Sequence, residues 1–238
     1  MSLSQPWKNT VNQGITDPRW DEYDSPIKKE VDRLNVQLAF TPQFFKLDWL
    51  SVKAMLWIES GGPDNSSWKE RVMQIGNAGD PAYAVLQGGK EGSLLIMDAA
   101  LQKDIKLAGI KKPDVNIRAA IAYLYTRLAK FEEKSLPDAK DARVYDYKVA
   151  AGDSLWAIAK KVGTTVKELE TRNPGSKSMI KAGQILKYRK AKTGLAIVGW
   201  RAATTSEIAS RYNGGGDPDY AEKLNYELTD VFPKIKRN

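Results

Sequence analysis

Hydrophobic positions recur at helical spacing along much of the chain and break into blocks at glycine- and proline-rich stretches. Residues 1–26, rich in Trp, Asp and Pro, read as irregular. From Pro26 to Phe40, Ile27, Val31, Leu34 and Leu38 share one helical face, and Pro42 ends it. Asp48 is a good N-cap for the next helix, which runs to Glu59 and is stopped by Gly61-Gly62. Leu50, Ala54, Trp57 and Ile58 form one stripe on it; Val52, Met55, Leu56 and Glu59 form a second. Glu59 therefore continues an apolar face. After a turn-rich loop, Val72-Met73-Gln74-Ile75 reads as a short strand or extended edge. Tyr83 to Gly89 reads as a short helix and turn, and Ser93 to Ala108 as a longer helix. A helix that starts at Asp114 or Asn116 and runs to Phe131 is expected to bury Ile117, Ala120, Ile121, Leu124, Leu128 and Phe131.

The pattern then changes. Glu132 to Ala142, charged and interrupted by a proline, reads as a linker. Tyr145 to Val149 alternates like a strand, and Gly152-Asp153-Ser154 supplies a turn and an N-cap. Leu155, Ile158, Ala159 and Val162 mark a short helix ended by Gly163. Thr164 or Thr165 caps a second helix, with Val166 and Leu169 inward, and Asn173-Pro174-Gly175 closes it. Gly183 to Tyr188 is a second strand, so the order is strand–helix–helix–strand. Past an apolar run from Leu195 to Trp200, Thr204/Thr205 open a helix through Tyr212 that ends at Asn213-Gly214-Gly215-Gly216. A last helix runs from Asp219 to about Leu228.

Composition narrows the chemistry. The chain has 238 residues, 42% hydrophobic and 28% charged, enough for a sizeable core in one or two domains. It has no cysteine and no histidine. That removes thiol nucleophiles, Ser-His-Asp triads and the usual zinc hydrolase sites, so catalysis must rest on carboxylates, lysine, tyrosine or backbone. No metal and no cofactor are expected. The net charge is +8, and the segment from Arg143 to Lys192 carries all of it, with 12 Lys/Arg against four acids. This argues for a separate basic module suited to a polyanion, either nucleic acid or an anionic wall polymer, unless it is only a well-solvated surface. Few of those basic residues are arginine and there is no known nucleic-acid motif, so nucleic acid is not expected as a partner. No apolar run approaches the ~20 residues that span a bilayer, and membrane insertion is not expected.

A carboxylate on an apolar face is partly desolvated, which raises its pKa, and the negative end of the helix pushes the same way. Glu59 can then remain protonated near neutral pH and act as a general acid. The alternative is a helix-end glutamate that simply reaches out to water.

Two resemblances follow from these stretches. Tyr147-Lys148-Val149-Ala150-Ala151-Gly152-Asp153-Ser154-Leu155-Trp156-Ala157-Ile158-Ala159, continued through Asn173 to Gly183-Gln184-Ile185-Leu186, resembles a LysM domain over its full length. LysM domains are βααβ units that bind N-acetylglucosamine-containing glycans, peptidoglycan or chitin. The resemblance implies a glycan groove between Gly152, Asp153, Ser154 and Leu155 and the segment near Met179 and Ile180. The rest of the chain resembles the lysozyme-like lytic transglycosylases and goose-type lysozymes in four pieces taken in order. These are Ile58-Glu59-Ser60-Gly61, Val72-Met73-Gln74-Ile75, Asn116-Ile117 with Tyr123-Leu124, and Arg211-Tyr212-Asn213-Gly214-Gly215. The family's usual Gly-Leu before Met-Gln is Arg71-Val72 here, and the loop after Glu59-Ser60 is shorter than usual.

Together the resemblances imply a mainly α, lysozyme-like α+β catalytic domain (1–142 and 193–238) with a small βααβ LysM domain inserted at 143–192. The implied reaction is cleavage of the MurNAc-β-1,4-GlcNAc bond of peptidoglycan by lytic transglycosylation, with Glu59 as the single acid and base. Ser60, Met73, Gln74 and Ile75 would contact the sugars, Tyr212 with Asn213 would hold the carboxyl, and Tyr123 would pack against the same pocket. Asp64 and Asp80 are candidates for a second carboxylate; one of them positioning a water would make the enzyme a hydrolytic muramidase. A non-catalytic wall-binding or secretion-scaffold protein of the same fold is the other alternative. The N-terminus does not read as a secretory signal peptide. The expectation is therefore synthesis in the cytoplasm and delivery to a bacterial wall by type VI secretion or as a phage lysis protein. An immunity protein or secretion component would then be a partner.

Overall fold

The computed structural model describes residues 3–77, 79–87, 96–177 and 179–236. They divide into two compact units, residues 1–130 with 198–238 and residues 131–197.

The first unit is helical. Helices α1 (Gln5–Asn12) and α2 (Asp24–Leu38) are followed by α3 (Trp49–Ser60), α4 (Pro81–Leu86), α5 (Ala99–Ala108) and α6 (Pro113–Leu128). After the second unit the chain forms α9 (Thr205–Ile208) and α10 (Tyr220–Tyr226), each continued by a π-helical segment, Ala209–Asn213 and Glu227–Val231. Helix α6 is the centre. It buries residues from Val115 to Leu128 on nearly every side, a broader contact than the single face its spacing suggests, because α2 and α5 both pack on it. Tyr125 on α6 donates to Asn35 of α2 (2.8 Å), and Asn35 exchanges hydrogen bonds with the backbone of Leu47 just before α3. Three elements are pinned by one buried amide.

Four sequence readings are corrected. Residues 1–26 are not irregular: α1 and two short 3-10 turns bury Val11 and Trp20. Trp20 meets Trp57 edge-on at 4.6 Å, and Gly62 (φ +94°) passes so close that a Cβ there would fall 2.3 Å from the Trp20 ring. Val72–Ile75 is a turn rather than a strand, with Arg71 and Gln74 both left-handed at φ 54°. The stretch read as a linker begins with a strand, β1 (Ala129–Pro137), which takes Phe131 out of the helix and pairs with β4 (Ala191–Trp200). The predicted helix from Ser93 to Ala108 is observed from Ala99; its Ser93–Leu95 start, and the Gly88-Gly89 turn, lie outside the described residues.

The second unit contains β2 (Tyr145–Lys148), α7 (Leu155–Val162), α8 (Val166–Arg172) and β3 (Ile185–Tyr188). β2 and β3 are antiparallel, with Tyr147 opposite Leu186. Ser154 caps α7, Gly163 ends it in the left-handed conformation, and the Thr165 hydroxyl caps α8. The helices cover a small core of Val149, Ile158, Ala159, Leu169 and Leu186. Asn173 replaces a missing rung of ladder: it accepts from the Lys187 N–H and donates to the carbonyls of Leu169 and Lys187. The unit is wider than the predicted 143–192 because most of β1 and β4 belong to it.

Candidate functional site

Glu59 lies in the last turn of α3, whose end is set by Gly61 (φ +70°), its N–H donating to Trp57 O at 3.0 Å. The carboxyl is partly buried, and Oε1 accepts a 2.8 Å hydrogen bond from the hydroxyl of Tyr220 on α10. Burial raises its pKa to about 7. The Tyr220 bond pulls the other way by favouring the carboxylate, while the negative charges of Asp217 and Asp80 push upward. A carboxyl with a pKa in this range can exchange a proton in either direction near neutral pH.

Opposite the helix end, the turn carrying Met73, Gln74 and Ile75 is held by Asn116 at the start of α6. Its side chain, fully buried, accepts from the Met73 N–H (2.7 Å) and donates to the carbonyls of Ile75 (2.8 Å) and Ile110 (2.9 Å). Tyr212 donates to Met73 O at 3.0 Å and meets the Tyr123 ring edge-on at 6.0 Å. Burial, with Glu59 and Asp80 nearby, lifts the Tyr212 phenol well above its ordinary pKa, so it stays a hydrogen-bond donor. The structure therefore brings Glu59, Met73, Tyr123 and Tyr212 together.

Other expected residues sit differently. The hydrogen bond to the Glu59 carboxyl comes from Tyr220, and Tyr212 holds the Met73 carbonyl instead. Ser60 is buried, donating to Leu56 O and accepting from Gly62 N–H within the helix end. Gln74 donates to Arg71 O and accepts from Asn77 inside its own turn. Asn213 accepts from the Asp217 N–H at 2.7 Å and so shapes the loop that carries Asp217. Asp64 is exposed and ion-paired with Arg19 at 2.7 Å. Asp80 caps α4 and accepts from Gly76 N–H, yet is close enough to act on Glu59. Tyr220 and Asp217 were missed; each falls in or beside the last predicted helix, where spacing alone marks no chemistry.

In the second unit, Asp153 accepts from the Tyr147 hydroxyl (2.9 Å) and the Ala150 N–H (2.8 Å), closing the turn through Gly152 (φ +85°). Ser154 is the helix cap, and Leu155 and Ile180 pack against the core. Met179 is 68% exposed and borders a surface cavity of about 530 Å³ with Pro174, Lys181 and Gln184. An exposed thioether beside a polar cavity suits the apolar face of a sugar ring.

Among the described residues, no group of three or more Asp or Glu side chains is arranged to hold a metal ion, and no helix is long and apolar enough to cross a membrane.

Residues 147–188 match the LysM domain family. A stretch of 43 residues is 46% identical to the probable peptidoglycan endopeptidase LytE of Bacillus subtilis (strain 168), covering 18% of this chain and 13% of that protein. No solved structure matches the chain. The second unit therefore contains a LysM domain, a kind of module that binds peptidoglycan glycan strands.

Proposed function

We propose that the helical unit is a peptidoglycan glycosidase with Glu59 as its acid and base, and that the LysM domain keeps it on its polymer. The observation that carries this reading is the placement of the Glu59 carboxyl at the end of the buried helix α3. There the Tyr220 hydroxyl holds it at 2.8 Å and burial raises its pKa to about 7. In the first step the Glu59 carboxyl gives its proton to the glycosidic oxygen as the C1–O bond breaks, leaving an oxocarbenium-like centre at the muramic acid. In the second the Glu59 carboxylate takes the proton of that sugar's 6-hydroxyl, whose oxygen bonds to C1 and closes a 1,6-anhydro ring. The proton balance is zero and one carboxyl suffices, which distinguishes this route from the two-carboxylate glycosidases. Tethering by the LysM domain raises the local concentration of glycan without adding contacts at the bond cleaved.

Asp80 favours a second reading. A carboxylate near Glu59 is where a water-activating base would be needed, and the same unit would then hydrolyse the bond. Mass spectrometry of muropeptides released by the wild type and by Glu59→Gln separates these outcomes. Anhydro-muramyl ends identify the transglycosylase and reducing ends the muramidase. Release of fragments by Glu59→Gln at the wild-type rate would remove Glu59 from the reaction, and no release by either protein would leave a wall-binding protein.

A further inference from the structure

Helix α7 carries Leu155 inward onto the core, while the next residue, Trp156, is 67% exposed. A bare indole is unusual on a small module, because so large an apolar ring is ordinarily buried. Trp156 borders a cavity of about 1000 Å³ within the unit of residues 131–197. Three ammonium groups line the same cavity from three elements: Lys134 on β1, Lys160 on α7 and Lys167 on α8. Lys160 lies over the Trp156 ring, 5.4 Å from its centroid. Two carboxylates also line it, Glu133 and Glu168, but Glu168 is ion-paired with Arg172. The Thr165 hydroxyl is engaged with Ser135 and the Glu168 N–H. What the cavity offers a ligand is therefore an aromatic surface beside three lysines, with Glu133 the one lining carboxylate that has no ion pair among the described residues. It shares no lining residue with the cavity beside Met179.

We propose that this cavity is a second subsite of the module, one that takes the anionic stem peptide of peptidoglycan. It rests on the LysM assignment and is independent of whether Glu59 cleaves anything. The polymer that a LysM domain grips by its sugars carries short peptides as side branches, with free carboxylates and small apolar side chains. Lysines answer the first and the Trp156 ring the second. The charge distribution agrees: the segment 143–192 holds the whole +8 of the chain, whereas bare N-acetylglucosamine is neutral and gives no reason for it.

The test is calorimetric titration of the full chain, in the Glu59→Gln background so that ligands stay intact. The two ligands are chitotetraose and a GlcNAc-MurNAc disaccharide bearing a tetrapeptide. Trp156→Ala should weaken the peptide-bearing ligand by about fivefold, the range an aromatic contact supplies, and leave chitotetraose unchanged. Lys160→Ala with Lys167→Ala should give a similar loss that shrinks as salt is raised. Equal losses for both ligands would make Trp156 part of the sugar groove and overturn the proposal. Unchanged affinity for both would overturn it too, as would tighter binding of duplex DNA than of the peptide-bearing ligand when DNA is titrated into the same protein.

Discussion

Tyr220 donates a 2.8 Å hydrogen bond to Oε1 of Glu59, joining α10 to the end of α3 across 161 residues of sequence. The bond favours the ionised carboxylate, so it works against the burial that holds Glu59 near 7. A general acid must be protonated at the first step, and activity should therefore fall as pH rises through that value. Tyr220→Phe removes the donor, raises the Glu59 pKa further and moves the alkaline limb of the pH–rate profile upward. The turnover number should drop about tenfold from loss of orientation. An unchanged alkaline limb in turbidity assays between pH 5 and 9 would show that the bond has no influence on the acid.

Asp217 acts in the opposite sense. Its carboxylate, paired with Lys223 at 2.6 Å, raises the Glu59 pKa by repulsion. Asp217→Asn should lower that pKa and shift the alkaline limb downward while the fold persists, because Asn can still accept from the Asp219 N–H that Asp217 now holds. The two variants thus move one titration in opposite directions. Movement in the same direction would mean that the limb belongs to another group.

Much of this arrangement was legible in the sequence, because local rules settle it. Asp48, Ser154 and Thr165 are caps that need no tertiary partner, and the helices they start lie where spacing put them. The LysM core follows from Leu155, Ile158 and Leu169 alone. What was not legible depends on distant partners. Lys53 on α3 is buried because Asp21 (2.6 Å) and Asp24 (2.9 Å), in a stretch that read as irregular, come up to meet it. The 72–75 turn alternates well enough for a strand but is held in a left-handed bend by Asn116, far along the chain. β1 is rich in charge and lacks a strand's alternation; only its partner β4 makes it one.

The Asn116 amide is the testable part of that bend. Asn116→Ala would leave the Met73 N–H and the carbonyls of Ile75 and Ile110 without their buried partner. A loss of about 3 kcal/mol in urea unfolding is expected. Catalysis should fall more than the folded fraction does, since the turn facing Glu59 loosens. Asn116→Asp should be no better, because a carboxylate offers no donor to the two carbonyls. Full stability in both variants would show that the turn holds itself.

Glu227, in the π-helical segment after α10, offers a stability test separate from the site. Its side chain is fully buried, and neither carboxyl oxygen has a hydrogen-bond partner among the described residues. Burial lifts its pKa well above the ordinary value, with Lys223 and Lys53 only partly offsetting this. A carboxyl whose pKa is raised by folding is protonated in the native state while the unfolded chain ionises from about pH 4.5 upward. The folded state then binds the extra proton, and this group costs progressively more stability as pH rises above that point. Glu227→Leu keeps the volume and removes the titration. It should raise stability by about 2 kcal/mol at pH 7.5, with a smaller gain at pH 5. Glu227→Gln, which keeps a polar group in the same place, should recover only part of it. Thermal unfolding at the two pH values checks both. A Leu variant that loses stability at pH 7.5 would show that the carboxylate is charged and held by Lys53 and Lys223.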